Sequence, residues 1–349
     1  MNETLSASRM TCLLTCPRQY FFKYELGIER LEKPKALVFG AVWAKFKELY
    51  RKNIPLDDAM HRAIASQKEA TNLDTPVFVA MATAYDTCYG NRGVYSHIYP
   101  EVEFDRPMTE LPGNFRAFGR LDAICVTKAG EHVICEDKTT SVDISPSAPY
   151  WDGTLFNVQV LYYVAEVRRL GWKVRRVVYE VSRKPKTERK TVPELDEKGL
   201  KIVICDATHE RAMNKNGTPR QTGGDGYTIQ GRMETDGEYA TRMKGDITSE
   251  PVKWFAQRDI WVKDAALAEF EGHKAACVRL ILSSREAAAG IPDPALAWPR
   301  NVDSQRCRNM CDYCGFCLQG WSTRPDELPE GYAFAQRNHG TEPEGVRPN

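Results

Sequence analysis

Apolar residues change their spacing along the chain, and each change marks a new kind of element. Met10, Leu13 and Leu14 recur at helical intervals behind Ser6 and Ser8, either of which can cap a helix. Cys16-Pro17 and Gly27 interrupt that pattern. Phe39-Gly40 then opens a second helix carrying Val42, Trp43, Phe46, Leu49 and Tyr50, and residues 57–90 also read as helical. From about residue 100 the pattern is that of strands: Val102–Phe104, Phe115–Val126 and His132–Lys138. Thr127–Glu131, with its glycine, closes a hairpin between the last two. Residues 155–170 form an amphipathic helix ended by Gly171, and Val174–Val181 is a valine-rich strand.

The stretch 183–250 breaks this regularity. Strand-like Lys201–Cys205 sits among polar, glycine-containing segments, notably Asn214–Gly226 and Met233–Gly245, and predicts an irregular insertion. Trp254–Val262 returns as a strand. Asp264–Arg285 is a long helix with Asp264 as its expected N-cap. Residues 321–349 are rich in Pro, Gly and Glu and read as a flexible tail. Helices followed by mixed strands and helices predict an α/β protein, with a helical N-terminal part over 1–98.

Composition narrows this picture. The chain has 349 residues, 42% of them apolar, enough for a sizeable core. No stretch approaches the roughly 20 apolar residues that span a bilayer, and no basic-then-apolar leader opens the chain. The expectation is a cytoplasmic protein without membrane partners. Net charge is +1, so composition does not by itself indicate a nucleic-acid binder. Basic residues do cluster at Arg168, Arg169, Lys173, Arg175 and Arg176, and again at Arg183, Lys184, Lys186, Arg189 and Lys190. They form either a solvated face or a surface that tracks phosphates.

The chemistry concentrates in two places. Gly119-Arg120-Leu121-Asp122 ends one strand pattern, and Glu136-Asp137-Lys138 lies in the next. Side chains alternate along a strand, so Glu136 and Lys138 share one face and Cys135 and Asp137 the other. Asp122 and Glu136 together suit a hard divalent cation such as Mg²⁺ or Mn²⁺. Lys138 can orient or deprotonate a water, or neutralise phosphoryl charge. Gln159 and Tyr163 are four apart and stack on one helix face, as hydrogen-bonding groups for phosphates or a metal-bound water. Without a metal, the same residues would be two surface strands with a salt bridge and a helix with a polar flank.

The second place is cysteine-rich. Of eleven cysteines, Cys88, Cys125, Cys135, Cys205 and Cys277 are isolated and read as small buried hydrophobes. Cys307, Cys311, Cys314 and Cys317 crowd together. In a cytosolic protein, such crowding points to Zn²⁺ or an iron–sulfur cluster rather than disulfides.

Gly-x-x-Asp, then Glu-x-Lys, then Gln-x-x-x-Tyr on the next helix, resembles the RecB-type nuclease branch of the PD-(D/E)XK superfamily. The likeness spans roughly residues 5–320. It opens at Ser6-Ala7-Ser8-Arg9 and Cys16-Pro17-Arg18, like the iron–sulfur members of that branch, among them CRISPR-associated, AddB-like and phage exonucleases. The resemblance implies a mixed central sheet flanked by helices, in a single nuclease domain over 1–320. It implies metal ligation by Asp122, Glu136 and the Asp137 carbonyl, a catalytic Lys138, and a supporting role for Gln159 and Tyr163. Glu101 or Glu103 is a further, weaker match to an acidic ligand.

The same resemblance implies a 4Fe–4S cluster that joins the N- and C-terminal segments. Its ligands would be Cys16, Cys307, Cys311 and Cys317, with Cys314 as the alternate and Cys12 a packing residue. The implied function is a Mg²⁺- or Mn²⁺-dependent exonuclease acting on single-stranded DNA or DNA ends, in recombination or repair. A recombinase or a single-strand-binding protein is the implied partner, and the host cytoplasm the implied location for a phage-encoded form. One position departs from the family pattern. Ala44 stands where Phe-Gly-x-x-x-His would place a metal-binding histidine. This leaves natural loss of the ligand, an inactivating substitution, or a site built on carboxylates alone; the intact surroundings favour substitution, and the chain as written is expected to have weakened or absent nuclease activity. Two rival functions follow: a catalytically dead DNA-binding protein, and a zinc-stabilised interaction module.

Overall fold

A computed structural model describes residues 3–32, 35–67, 73–90, 95–154, 157–301, 304–309 and 311–335. Strand β1 (Glu3–Leu5) leads into α1 (Ala7–Thr15), which Ser6 rather than Ser8 caps by accepting from the Arg9 N–H at 3.3 Å. Helix α2 (Pro17–Tyr20) starts on its proline and runs into a wide π turn over Phe21–Glu25. There follow β2 (Ile28–Arg30), α3 (Lys35–Arg51), α4 (Leu56–Ala65) and α5 (Thr75–Tyr89). Strands β3 (Tyr95–Pro107), β4 (Phe115–Thr127) and β5 (His132–Thr140) come next, then α6 (Val158–Arg169) and β6 (Arg176–Arg183).

The main sheet has the order β1-β4-β5-β6, and β3 lies along β4. β4 pairs antiparallel with β3 and β5 but parallel with β1, and β5 pairs parallel with β6. The fold is therefore the expected mixed α/β sheet flanked by helices. β3 is much longer than the expected Val102–Phe104 and begins inside the part expected to be helical. The short strands β1 and β2 escaped notice because three residues carry no readable period.

Residues 184–235 form a β arm. Its strands β7 (Thr191–Pro193), β8 (Val203–Cys205), β9 (Tyr227–Ile229) and β10 (Gly231–Met233) pair as β7 with β10 and β8 with β9. The arm leaves and returns at one neck, where the Glu234 N–H donates to the Lys190 carbonyl at 3.0 Å and the Lys190 N–H to the Glu234 carboxylate at 2.9 Å.

The expected loop over Met233–Gly245 is corrected. Most of it is helix α7 (Asp236–Ser249), started by a capping box between Thr235 and Glu238. Tyr239, Met243 and Ile247 of α7 are buried with Phe78 and Met81 of α5. Strand β11 (Phe255–Trp261) completes the sheet against β6. Helix α8 (Asp264–Ala288) is capped at Lys263, so Asp264 is its first residue rather than its N-cap. There its charge still favours the helix dipole.

Helices α9 (Ser304–Asn309) and α10 (Cys314–Leu318) precede β12 (Tyr332–Phe334), which pairs with β2. Residues 321–335, expected as tail, thus fold back onto the N-terminal segment, and Trp321 and Tyr332 pack on Phe316. The remainder of that stretch, 336–349, lies outside the described residues. Two layers cover the sheet. Leu5, Met10, Ile134, Val160, Phe270 and Val278 build one core with α1, α6 and α8. Phe39, Trp43, Phe46 and Phe78 build another among α3, α4, α5 and α7. No described helix is long and apolar enough to cross a membrane.

Candidate active site

The site forms where β5 leaves β4. Their ladder ends at Ala123 opposite Cys135, and the next rung would set Asp122 against Glu136. Beyond that point β5 stays paired with β6 as far as Thr140 but no longer with β4. The Asp137 N–H donates instead to Asp122 Oδ2 at 2.7 Å. This opening brings both carboxylates together at the parting of the strands.

The glycine of Gly-x-x-Asp has a steric reason. A Cβ at Gly119 would lie 2.4 Å from the Phe104 ring, which crosses from the paired position on β3. Phe104 in turn packs against Tyr162 and Tyr163 of α6. The bare backbone at Gly119 therefore sets how close α6 sits to β3 and β4.

Glu136 is buried. Its Oε1 accepts from Lys138 Nζ at 2.5 Å, and among the described residues its Oε2 has no hydrogen-bond partner. Lys138 also donates to Gln159 Oε1 at 3.0 Å, Gln159 Nε2 donates to the Tyr163 hydroxyl at 3.0 Å, and that hydroxyl donates to the Arg120 carbonyl at 3.0 Å. Asn157 caps α6 by accepting from the Gln159 N–H at 2.8 Å. The five residues Asp122, Glu136, Lys138, Gln159 and Tyr163 thus gather at one place, four of them in a single chain of hydrogen bonds.

Burial, reinforced by Glu136 and Asp137, raises Asp122 to about 8. Burial also raises Glu136, although Lys138 opposes the shift. Burial presses Lys138 downward, but Glu136 outweighs it and the ammonium is held more tightly than usual. A buried carboxylate oxygen without a donor is costly unless a cation meets it. The donor set at this point, acidic oxygens around an orphaned Oε2, fits a hard divalent ion.

Of the two further acidic candidates, Glu101 is the one at the site. The β3 register pairs Pro100 with Ala123 and Val102 with Leu121, so Glu101 falls opposite Asp122. Its φ of 54° is a left-handed conformation rare for a non-glycine residue. Burial, partly offset by Arg120, together with the nearby Glu48 and Asp122 carboxylates, pushes Glu101 up to about 7. Glu103 instead lines a separate recess with Ser6 and Tyr163.

Ala44 lies between Gly40 and Glu48 on one stripe of α3. Gly40 lets the helix approach β5, since a Cβ there would stand 3.2 Å from Thr139 Oγ1. Glu48, within electrostatic reach of Glu101, is a carboxylate that reading the sequence missed. On the far side of β5, Asp137 turns its side chain to Arg51 and Lys47. Both cations also bind Glu180 of β6, at 3.1 and 2.8 Å, and all four side chains are almost fully buried. This quartet fixes α3 to β5 and β6 and was likewise not read from sequence.

Five of the ten basic residues in the two clusters are held in ion pairs. Arg168 pairs with Asp264, Arg169 with Glu166 and Glu271, Arg176 with Glu131 and Asp259, Arg183 with Asp143, and Arg189 with Asp236.

Cys16, Cys307, Cys311, Cys314 and Cys317 line one cavity of about 200 Å³, walled also by Phe22, Tyr313 and Leu318. The terminal segments meet there: Arg18 Nε donates to the Trp298 carbonyl at 2.8 Å, and the Tyr313 hydroxyl to the Ile28 carbonyl at 2.8 Å. Among the described residues, no three His, Cys, Asp or Glu side chains are grouped so as to hold a single metal ion. The thiols ring a space rather than converge on a point. Cys314 lines it as the other four do, so no thiol stands out as the extra one. Cys12 packs against the apolar core beside them.

A family model described as PDDEXK_1, the PD-(D/E)XK nuclease superfamily, matches residues 4–317, and the chain belongs to that superfamily. Its members are nucleases, hydrolases that use divalent metals such as Mg²⁺ or Mn²⁺, with DNA as the implied substrate. Among solved structures, one described as "Crystal structure of SSO0001" matches at 14% identity and a TM-score of 0.25, over 52% of this chain and 63% of that chain. This chain therefore covers less than two thirds of that structure's length. No curated protein matches the chain.

Proposed function

We propose that this chain is a metal-dependent DNA exonuclease of the RecB type, acting on single strands or DNA ends. The observation that carries the reading is the buried, unpartnered Oε2 of Glu136 beside Asp122 at the opened rung. Asp122, Glu136 and the Asp137 carbonyl would hold the ion. When bound, it supplies Lewis acidity toward a phosphoryl oxygen and a water of lowered pKa. Lys138, firmly protonated beside Glu136, acts as a fixed positive charge for the reacting phosphate rather than as a base. Gln159 and Tyr163 hold that ammonium in place through their hydrogen bonds.

Action on DNA ends, and a setting in recombination or repair alongside a recombinase or single-strand-binding protein, rest on the resemblance to the RecB branch. The test is incubation with Mn²⁺ or with EDTA on linear strands labelled at either end and on circular single-stranded DNA. The expected result is Mn²⁺-dependent mononucleotide or short-oligonucleotide release from linear DNA, abolished in Asp122→Asn. Cleavage of circles would replace the exonuclease reading with an endonuclease. No metal-dependent cleavage by either this chain or its Ala44→His form would leave the second reading, a DNA-binding protein without catalysis, which Ala44 favours.

The five-cysteine cavity supports a 4Fe–4S cluster held by four of its thiols. A ring of thiolates around a space of this size suits a multi-atom cluster better than a single ion. Anaerobic purification should give a brown protein with iron and sulfide. A colourless protein carrying zinc would reject the cluster.

A further inference from the structure

A groove of about 380 Å³ runs beside the site along α1. It begins at Gln159, the residue that holds Lys138, and Ser8, Thr11 and Thr15 of α1 line its side. Its far end carries Lys23 and Arg306. Among the described residues no Asp or Glu lines it. The neighbouring recess at Tyr163, which meets it at Ala7 and Ser8, carries both Glu103 and Arg120. Hydroxyl donors and two cations among the lining suit this groove to an anion.

The far end is assembled by two separate parts of the chain. Lys23 sits on the π turn, which the Leu26 N–H closes onto the Phe21 carbonyl at 2.9 Å. Among the described residues Lys23 forms no ion pair, and its ammonium lies 5.4 Å from the centroid of the Tyr24 ring. Arg306 reaches in from the segment that carries Cys307, and its Nη2 donates to Thr15 Oγ1 at 3.4 Å.

We infer that this groove is a subsite for the bound DNA strand, in which Lys23 and Arg306 grip backbone phosphates next to the one cleaved. The inference rests on the DNA-cleaving reading above and adds where the strand runs. The cysteine-rich segment then supplies a wall of the DNA path as well as joining the chain's ends.

The experiment is titration of the full chain with a fluorescent single-stranded DNA oligonucleotide in EDTA, over a range of KCl. Lys23→Gln and Arg306→Gln are each expected to weaken binding about 3- to 10-fold. Each should also flatten the log–log salt slope by about 0.7, the value for one lost contact to a single strand. Lys23→Arg and Arg306→Lys should restore both, and they serve where a Gln variant fails to fold. Lys128→Gln, at the exposed β4–β5 turn, should bind as the parent does. Unchanged affinity and slope in both Gln variants of a chain that binds DNA would overturn the groove alone. A parent chain that neither binds DNA nor cleaves it with Mn²⁺ would overturn the functional reading as well.

Discussion

Asp122 Oδ2 accepts the Asp137 backbone N–H at 2.7 Å, so a metal-ligand candidate on one strand also anchors the strand that carries the others. The two roles separate by substitution. Asp122→Asn keeps an acceptor for the N–H, whereas Asp122→Ala leaves it without one. Both should lower Mn²⁺-dependent cleavage by at least about 100-fold. Only Asp122→Ala should also lose about 1–3 kcal/mol in urea unfolding. Equal stability of the two variants would remove the anchoring role.

Protons and metal compete for the same oxygens. Burial raises Asp122 to about 8 and raises Glu136 as well. The folded chain therefore binds protons more tightly than the unfolded chain. These groups cost the metal-free protein stability progressively as pH rises from the ordinary carboxyl range toward about 8. Added Mn²⁺ should reverse that loss. The melting-temperature increase from Mn²⁺ is expected to grow between about pH 6 and pH 9, and Glu136→Gln should flatten it. A metal effect independent of pH in the parent chain would contradict the assignment.

Ala44 stands on the α3 stripe between Gly40, which touches Thr139, and Glu48, which senses Glu101. A histidine there adds an imidazole ligand on the helix side of the site. Ala44→His is expected to raise apparent Mn²⁺ affinity about 10- to 100-fold, comparable to the contribution of tuned ligands elsewhere. Calorimetric titration of both chains checks this. No gain in affinity would mean that the stripe does not face the ion.

The buried quartet of Lys47, Arg51, Asp137 and Glu180 should be strongly coupled. Arg51→Met strands charge on Asp137 and Glu180 and is expected to cost about 3–5 kcal/mol. Replacing Lys47 and Glu180 together by Met should cost less than the sum of the two single changes, as a double-mutant cycle in urea would read. Additive losses would mean that the four act independently.

The elements that carry the site were legible because each broke the surrounding pattern. β6 stands out as a valine-rich run, β4 alternates through Gly119 and Leu121, and Gln159 and Tyr163 sit one helical turn apart. Gly119 itself could be quoted as a motif but not explained, because the Phe104 ring that requires it comes from another strand. Helix α7 was hidden by Gly237 and Gly245, although Thr235-x-x-Glu238 and the spacing of Tyr239, Met243 and Ile247 were its visible signals. The quartet was not legible at all. A lysine and an arginine on a helix normally face water, and only Glu180, set among the valines of β6, hinted that charge was buried there. The cysteines could be counted from sequence, but only the fold shows that Cys16 shares a cavity with four residues nearly 300 positions later.

The neck at Lys190 and Glu234 has a consequence for how this protein can vary. Two backbone strands cross it side by side, and Arg242 and Arg189 clamp Glu234 from outside. Everything beyond the neck is topologically a single loop, tied back to α7 through Arg232 on Glu238, so the arm's outer part can change in length and composition without touching the main sheet. The arm is a mount: related chains could carry a shorter hairpin, a longer one or a foreign domain there, with the opened rung at Asp122 unchanged.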